Sequence, residues 1–280
     1  MEKRMLSPKE ITDAVINAGI NKVKLSTLQM ILLGIMAGAF IAFGGFASTV
    51  ASHSISNVGV AKVVTAVVFP VGLMLVVICG AELFTGNSLM VASLVDKKIT
   101  LGQLMKNWIL VYIGNLIGSI IVAFLISESG LLGMGGGAVG ATTIKIASYK
   151  AGLSVSNCIS SGILCNIVVC LAVWANAAAK DVAGKVAISF FPIMAFVISG
   201  FEHSVANMYY FSMGIFAKSN EVFVQASKLS SEKLANLNWA GAWGNILPVT
   251  LGNIIGGGIF VAFTYWVIFK HGAPNNSDKK

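Results

Sequence analysis

Long apolar runs separated by short polar segments dominate the chain. The runs lie at about residues 28–50, 61–94, 107–127, 158–179, 186–217 and 240–269. Because roughly 20 apolar residues suffice for a helix to cross a bilayer, each run predicts a membrane-spanning helix. The second and fifth runs are too long for one straight crossing, and each carries a proline, Pro70 or Pro192, ahead of a glycine. The pattern predicts an all-α polytopic membrane protein with six transmembrane helices, of which the second and fifth are broken.

The first three spans are repeated as the last three. Residues 107–118 of the third span match residues 245–256 of the sixth, with asparagine and glycine at the same spacings. The second and fifth spans share the pattern Gly-x-Glu-x-x-x-x-Asn, at 80–87 and 200–207. Three spans per repeat place the two halves, about 28–127 and 158–269, in opposite orientations. Inverted repeats with paired broken helices predict a substrate site near the bilayer midplane.

A polar segment precedes the first span. Ser7, Pro8 and Glu10 suit the start of a helix over residues 7–25, which we expect on the membrane surface or against the bundle. The chain thus divides into a cytoplasmic N-terminal amphipathic helix (1–27), a six-helix transmembrane domain (28–270) and a cytoplasmic tail (271–280). Thirteen Lys and Arg residues fall on the side of the termini and six on the other. This bias predicts a multi-pass protein of the cell inner or plasma membrane with both termini in the cytoplasm.

Composition narrows the class of protein. Hydrophobic residues make up 56% of the chain and charged residues 11%, against roughly 25% charged residues in soluble domains. The four cysteines lie in predicted spans without Cys-x-x-Cys spacing, and no nucleotide-binding or metalloprotease motif occurs. We therefore expect no cofactor, no metal and no nucleic-acid partner. The net charge of +8 comes mainly from residues outside the spans, which is typical of orientation signals and lipid contacts.

Two ionisable residues, Glu202 and His203, stand side by side inside the fifth run, and the first break has Glu82 and Leu83 at the matching positions. An ionisable group at membrane depth costs on the order of 3 kcal/mol, so the pair predicts a functional site. A buried histidine in a pore can hydrogen-bond an incoming anion or pass it a proton; a structural histidine would tie two helices together. Because a bare carboxylate repels anions, we expect both glutamates to point away from the path and accept backbone N–H groups. The alternative is that Glu202 tunes His203.

Further candidates surround the breaks. Thr85 is predicted either to hydrogen-bond His203 across the repeat axis or to cap a helix. Lys150, in the predicted outer loop between the third and fourth spans, could with Asn166 attract an anion to the mouth; the alternative is a solvated lysine. Apolar positions on the same spans are candidates for constrictions that reject hydrated ions, or for ordinary packing. These apolar positions are Phe69, Leu73, Leu83, Phe84, Val169 and Phe196.

Four motifs resemble those of the formate/nitrite transporter family. They are Phe-x-x-Gly-Leu at 69–73, Gly-Ala-Glu-Leu-Phe-Thr-Gly-Asn at 80–87, Gly-Phe-Glu-His-Ser-Val-Ala-Asn-Met at 200–208, and Asn-x-x-Pro-Val-Thr-Leu-Gly-Asn at 245–253. The resemblance covers essentially the whole chain. It implies an aquaporin-like six-helix protomer, assembled as a homopentamer with one pore per protomer. The turn at 83–87 looks closest to the hydrosulfide channel branch of the family.

The resemblance also implies roles for individual residues. His203 matches the central pore histidine and Thr85 its partner, while Lys150 and Asn166 match an electropositive pair near the pore. Asn253 matches a polar residue of the sixth span. Slit-forming positions of the family correspond to Phe69, Leu73, Leu83, Val169 and Phe196.

The expected function is a channel or transporter for small monovalent anions of weak acids. The resemblance favours hydrosulfide, with formate and nitrite as further substrates. The anion would be drawn in by Lys150 and stabilised or transiently protonated at His203, between two apolar constrictions. One alternative is an aquaporin-like channel for neutral solutes, although neither break carries Asn-Pro-Ala. The other alternative is an intramembrane enzyme that uses Glu202 and His203. The sequence argues against it, because no nucleophile or cofactor motif lies near these residues, and we expect no enzymatic activity.

Overall fold

The computed structural model of the chain describes residues 5–271, and these are helical throughout apart from turns and one isolated bridge. The predicted tail lies outside the described residues except for His271. Six helical stretches are long and apolar enough to cross a membrane, which confirms the predicted all-α fold with six spans. In chain order the helices of the first half are α1 (Pro8–Val23), α2 (Thr27–Ser52), α3 (Val58–Val68), α4 (Val71–Cys79), α5 (Phe84–Asn87), α6 (Val91–Val95) and α7 (Leu101–Glu128). Those of the second half are α8 (Ala138–Ala151), α9 (Val155–Asn176), α10 (Val182–Ser199), α11 (Ser204–Ala217), α12 (Glu221–Ser227), α13 (Ser231–Ala235), α14 (Trp239–Ile254) and α15 (Thr264–Trp266).

The N-terminal helix α1 packs on the bundle. Its capping box forms between Ser7 and Glu10, as predicted. Its apolar side, with Val15 and Ile16 buried, packs into a cluster that includes Leu89 of the second span. Of the two predicted positions for this helix, the structure has the one against the bundle.

Both predicted breaks are present. Helix α4 ends at Gly80 and helix α10 at Gly200, and these two glycines have left-handed backbone angles, φ 79° and φ 74°. A Cβ would strain that conformation, so glycine allows each helix to stop in mid-span. Residues 81–83 and 201–203 then run non-helically into α5 and α11. The two prolines behave differently, because Pro70 divides α3 from α4 whereas Pro192 lies inside an unbroken α10.

Small residues bring the spans of each half into backbone contact. A Cβ on Gly38 of α2 would lie 2.0 Å from the carbonyl oxygen of Asn115 in α7. In the second half, a Cβ on Gly252 of α14 would lie 2.3 Å from the carbonyl oxygen of Ile159 in α9. Glycine is therefore required for the α2–α7 and α9–α14 contacts, and the same device serves both halves.

Two features go beyond the sequence prediction. Residues 138–151, expected as a loop, form the helix α8, so Lys150 lies on a helix that precedes the second repeat as α1 precedes the first. The sixth span is α-helical to Ile254 and π-helical over Ile255–Phe263. The repeat unit thus includes a leading helix in each half, while the π-helical stretch belongs to the second half.

Candidate functional site

An asparagine clamps the first break to its neighbours. Asn115 Oδ1 accepts the backbone N–H of Phe84 at 2.9 Å. Asn115 Nδ2 donates to the carbonyl oxygens of Gly34 at 2.8 Å and Glu82 at 2.9 Å. The Phe84 N–H and the Glu82 carbonyl are backbone groups that the missing helical turn leaves without intrahelical partners, so the amide replaces lost hydrogen bonds there and ties the break to Gly34 of α2.

Asn253 clamps the second break in the same way. Its Oδ1 accepts the N–H of Ser204 at 2.9 Å, and its Nδ2 donates to the carbonyl oxygens of Gly162 at 2.8 Å and Glu202 at 3.1 Å. Both ends of the amide are occupied by backbone groups. Asn253, a candidate pore residue by resemblance, thus stabilises the backbone of the second break through its side chain.

A buried polar cluster lies behind each break. In the first half, Asn87 Nδ2 donates to Glu82 Oε2 at 2.7 Å and to Asn107 Oδ1 at 2.8 Å. The ammonium group of Lys22 pairs with the other carboxylate oxygen, Glu82 Oε1. The carboxylate is 9% exposed and is satisfied by one cation and one amide.

The second half repeats this cluster. Asn207 Nδ2 donates to Glu202 Oε2 at 2.6 Å and to Asn245 Oδ1 at 2.7 Å, and Lys150 Nζ pairs with Glu202 Oε1 at 2.8 Å. The expectation that the glutamates accept backbone N–H groups was wrong, since the donors are side chains of lysine and asparagine. A carboxylate buried in the membrane is tolerated when it is paired and hydrogen-bonded, and Lys150 supplies that charge.

Lys22 was missed by the sequence reasoning, although a signal exists. Lys22 precedes Gly34 by twelve residues, and Lys150 precedes Gly162, its repeat equivalent, by the same twelve. Extending the repeat upstream of the spans would have paired the two lysines. The structure places both at equivalent positions, each on the helix that leads its half.

His203 joins the two breaks. Its Nε2 lies 2.8 Å from Thr85 Oγ1, as one of the two sequence alternatives predicted, and its Nδ1 accepts the backbone N–H of Ala206 at 3.1 Å as the cap of α11. A backbone N–H can only donate, so Nδ1 carries no proton and the neutral ring carries its proton on Nε2. The imidazole therefore presents an N–H group toward Thr85.

Two cavities lie beside the two breaks. The larger, of about 490 Å³, is lined by Lys150, Glu202 and His203. The smaller, of about 270 Å³, is lined by Lys22 and Glu82. Each cavity reaches one break and is lined by one lysine–glutamate pair, so the two cavities repeat the pseudo-symmetry of the fold. We call the larger cavity the vestibule.

Apolar side chains separate the two cavities. Phe69 and Phe196 line the vestibule with ring centroids 5.8 Å apart, and Leu73 and Leu83 line the smaller cavity. Phe196 also stacks on His203 with centroids 6.0 Å apart. Phe69 and Leu73 are four residues apart along the second span, so the two cavities end close to each other along it.

The remaining candidates lie away from the cavities. Asn166 does not join Lys150 at the mouth; its Nδ2 donates to the carbonyl oxygens of Thr85 at 3.1 Å and Asn253 at 2.6 Å. Val169 is 1% exposed and lines neither cavity. Among residues 5–271, no group of three or more histidine, cysteine or acidic side chains is placed to hold a metal ion.

The sequence and the fold match known proteins along nearly their whole length. The family profile described as "Formate/nitrite transporter" matches residues 9–267. The formate channel FocA of Escherichia coli K12 is 37% identical over 270 residues, which cover 95% of both chains. The transporter YrhG of Bacillus subtilis, described as uncharacterized, is 40% identical over 266 residues, covering 94% of this chain and 93% of that protein.

Solved structures show the same architecture. A "Pentameric formate channel with formate bound" superposes with a TM-score of 0.78 at 36% identity, covering 87% of this chain and 97% of that one. An "FNT family ion channel" superposes with a TM-score of 0.80 at 27% identity, covering 92% of this chain and 98% of that one. This chain therefore belongs to the formate/nitrite transporter family.

Proposed function

We propose that this chain forms a membrane channel for small monovalent anions of weak acids, with formate as the first candidate substrate. The observation that carries the proposal is the His203 ring, whose Nε2–H sits at an apolar barrier between two cavities. FocA and the pentameric neighbour are formate channels, which puts formate ahead of hydrosulfide and nitrite. Hydrosulfide, favoured by the resemblance of the 83–87 turn, is the second candidate.

The path of the anion follows from the charges along the vestibule. Lys150 is paired with Glu202, so the pair as a whole is neutral. Lys150 therefore offers N–H donors but no net positive charge. Lys62 and Lys145 also line the vestibule, and among the described residues they have no acidic partner. We assign the attraction of the anion to these two lysines and its first hydrogen bonds to Lys150.

At the barrier, the geometry favours hydrogen bonding over proton transfer by His203. The neutral ring has one N–H, on Nε2, which an arriving anion can accept in place of the Thr85 hydroxyl. To act as a proton donor the ring would first have to carry a second proton on Nδ1, and Nδ1 could then no longer accept the Ala206 N–H. Phe69, Leu73, Leu83 and Phe196 form the constriction that rejects hydrated ions.

The assembly and orientation complete the proposal. The neighbour of known structure is pentameric, and we propose a homopentamer with one pore in each protomer. The Lys and Arg bias supports cytoplasmic termini, so the vestibule would open to the outside and the cavity beside α1 to the cytoplasm. An aquaporin-like channel for neutral solutes is the alternative function, because both carboxylates are neutralised by lysines and the barrier itself is apolar.

Stopped-flow entry into proteoliposomes tests the function. Formate, hydrosulfide, nitrite, chloride and glycerol are compared at two pH values. We expect the weak-acid anions to enter rapidly and chloride and glycerol to be excluded. Glycerol entry as fast as formate would establish the neutral-solute alternative.

His203→Asn distinguishes the two roles of the ring. Asparagine can still accept the Ala206 N–H as a helix cap, so the break is retained. Loss of one hydrogen bond to an anion costs about 1.5–3 kcal/mol, and we expect formate flux to fall about tenfold or more at every pH. A pH profile that flattens instead of falling in parallel would support proton transfer by His203.

A further inference from the structure

The carbonyl oxygen of Thr85 is held by two side chains from α9. Asn166 Nδ2 donates to it at 3.1 Å and Cys170 Sγ at 3.3 Å. Both side chains are fully buried. They contact the backbone of the residue whose hydroxyl meets His203, so their position bears directly on that contact.

These two donors stand where the backbone is irregular. After the first break, α5 covers four residues and continues as a 3-10 turn over Ser88–Met90, whereas α11 after the second break is a regular helix of 14 residues. Short irregular helices hold their first turn less firmly than regular ones, because fewer intrahelical hydrogen bonds fix it. The Thr85 segment therefore depends on contacts from outside.

The pseudo-symmetry shows that the donors are specific to this segment. In the register that aligns Gly34 with Gly162, Asn166 corresponds to Gly38 and Cys170 to Ala42. Neither of these has a side-chain hydrogen-bonding group. The irregular segment after the first break therefore receives two side-chain donors from α9 of the other half, whereas the corresponding positions of α2 offer none to the regular helix α11.

The sixth span fixes the donors from behind. A Cβ on Gly257 would lie 2.5 Å from Cys170 Sγ and 2.6 Å from Asn166 Nδ2. The π-helical backbone around Gly257 thus lies directly against both groups. Because interiors are close-packed, the thiol has little room to turn away from the Thr85 carbonyl.

We propose that Cys170, together with Asn166, is a positioning residue that sets the Thr85–His203 contact. This inference rests on the proposed function, in which that contact lies at the centre of the pore. A thiol is a weak donor, so its removal should loosen the Thr85 backbone without dismantling the break. The hydroxyl would then hold Nε2 less well, and the variant should behave as a weaker form of Thr85→Val.

Cys165 provides a matched control. It lies on the same helix and is equally buried, and it has no hydrogen-bond partner among the described residues. Formate flux is measured across pH for Cys170→Ala, Cys170→Ser and Cys165→Ala, each with and without Thr85→Val. Pentamer assembly is checked by size-exclusion chromatography for every variant.

We expect Cys170→Ala to change formate flux about threefold and to shift the pH profile in the same direction as Thr85→Val does. Cys170→Ser should restore most of the wild-type behaviour, because its hydroxyl can donate to the same carbonyl. In the Thr85→Val background, Cys170→Ala should add nothing, because both changes act through one contact. If Cys170→Ala does not assemble, Cys170→Val against Cys165→Val provides the same comparison.

Equal effects of Cys165→Ala and Cys170→Ala would overturn the inference, as would effects of Cys170→Ala and Thr85→Val that multiply. If the wild-type channel conducts and Thr85→Val alters its flux but Cys170→Ala does not, the inference is overturned and the proposed function stands. A wild-type protein that passes none of the weak-acid anions overturns the proposed function and with it this inference.

Discussion

Tyr112 and Thr250 occupy equivalent positions of the two repeats, and their side-chain oxygens lie 2.8 Å apart. Tyr112 follows Asn107 by five residues, and Thr250 follows Asn245 by five. Thr250 Oγ1 donates its hydrogen to the carbonyl oxygen of Ile246, so the tyrosine hydroxyl is the donor of the pair. The third and sixth spans therefore meet at the axis that relates the halves.

Removing this pair should weaken the contact between the halves. We expect Tyr112→Phe to lower the free energy of unfolding by about 1 kcal/mol, because one half-buried hydrogen bond is lost. Thr250→Val should cost somewhat more, since it leaves the tyrosine hydroxyl without its acceptor. The thermal stability of the purified protein measures both, and the double variant should be less destabilised than the sum. Additive effects would show that the two oxygens do not interact.

The charged pairs behind the breaks offer a comparison between the halves. Lys150→Met leaves a carboxylate that is 3% exposed without its cation, and breaking a buried pair in this way costs about 3–5 kcal/mol. The equivalent change, Lys22→Met, should cost less, because the Lys22 side chain is 27% exposed against 12% for Lys150. Adding Glu202→Gln to Lys150→Met should recover part of the loss. Thermal stability of the protein in detergent is the measurement, and equal losses in the two halves would contradict the ranking.

Much of this site could be predicted from the sequence, because the residues that identify the repeat are polar side chains inside apolar spans, where polar residues are rare. Glu82, Glu202 and His203 are conspicuous there, and the two asparagine pairs mark the spans that clamp the breaks. The donors to the glutamates were predicted wrongly, because a sequence does not show which of many amides and lysines reaches a buried carboxylate. The prediction that Asn166 lies with Lys150 at the mouth was wrong for a related reason, because the sequence does not show which backbone carbonyls a buried amide reaches.

Glycine placement could be predicted, whereas the local helix type could not. The paired glycines of the spans indicate close packing by their residue type alone. The π-helical stretch over Ile255–Phe263 leaves no comparable mark, since Gly256, Gly257 and Gly258 suit a tight α-helical contact equally well. It packs against the 3-10 turn after the first break, a tertiary contact that the sequence does not show.

Substitution of Gly118 tests the backbone contact between α2 and α7. A Cβ at Gly118 would lie 2.0 Å from the carbonyl oxygen of Ile35, so Gly118→Ala must push the helices apart. We expect the free energy of unfolding to fall by about 1–3 kcal/mol, the usual cost of overpacking. Gly244 is the control, because a Cβ there meets nothing within 4 Å, and Gly244→Ala should be neutral or stabilising by about 0.5–1 kcal/mol. Similar melting temperatures for the two variants would show that the α2–α7 contact can relax.

The vestibule lysines should act on flux through long-range charge. Lys62 and Lys145 are exposed, line the vestibule and have no acidic partner among the described residues. The control lysines, Lys228 and Lys233, do not line the vestibule and lie on or beside α12 and α13, which pack on α8. At about 10 Å in water each charge attracts a monovalent anion by about 0.4 kcal/mol, so the Lys62→Gln/Lys145→Gln variant should reduce formate flux about fourfold at low salt. The difference should vanish in high salt, because the screening length falls from about 30 Å at 0.01 M to about 3 Å at 1 M. Lys228→Asn/Lys233→Gln, in which asparagine suits the left-handed backbone at position 228, should leave the flux unchanged at both salt concentrations. A reduction that persists at 1 M salt would mean that the two lysines shape the vestibule instead of collecting anions.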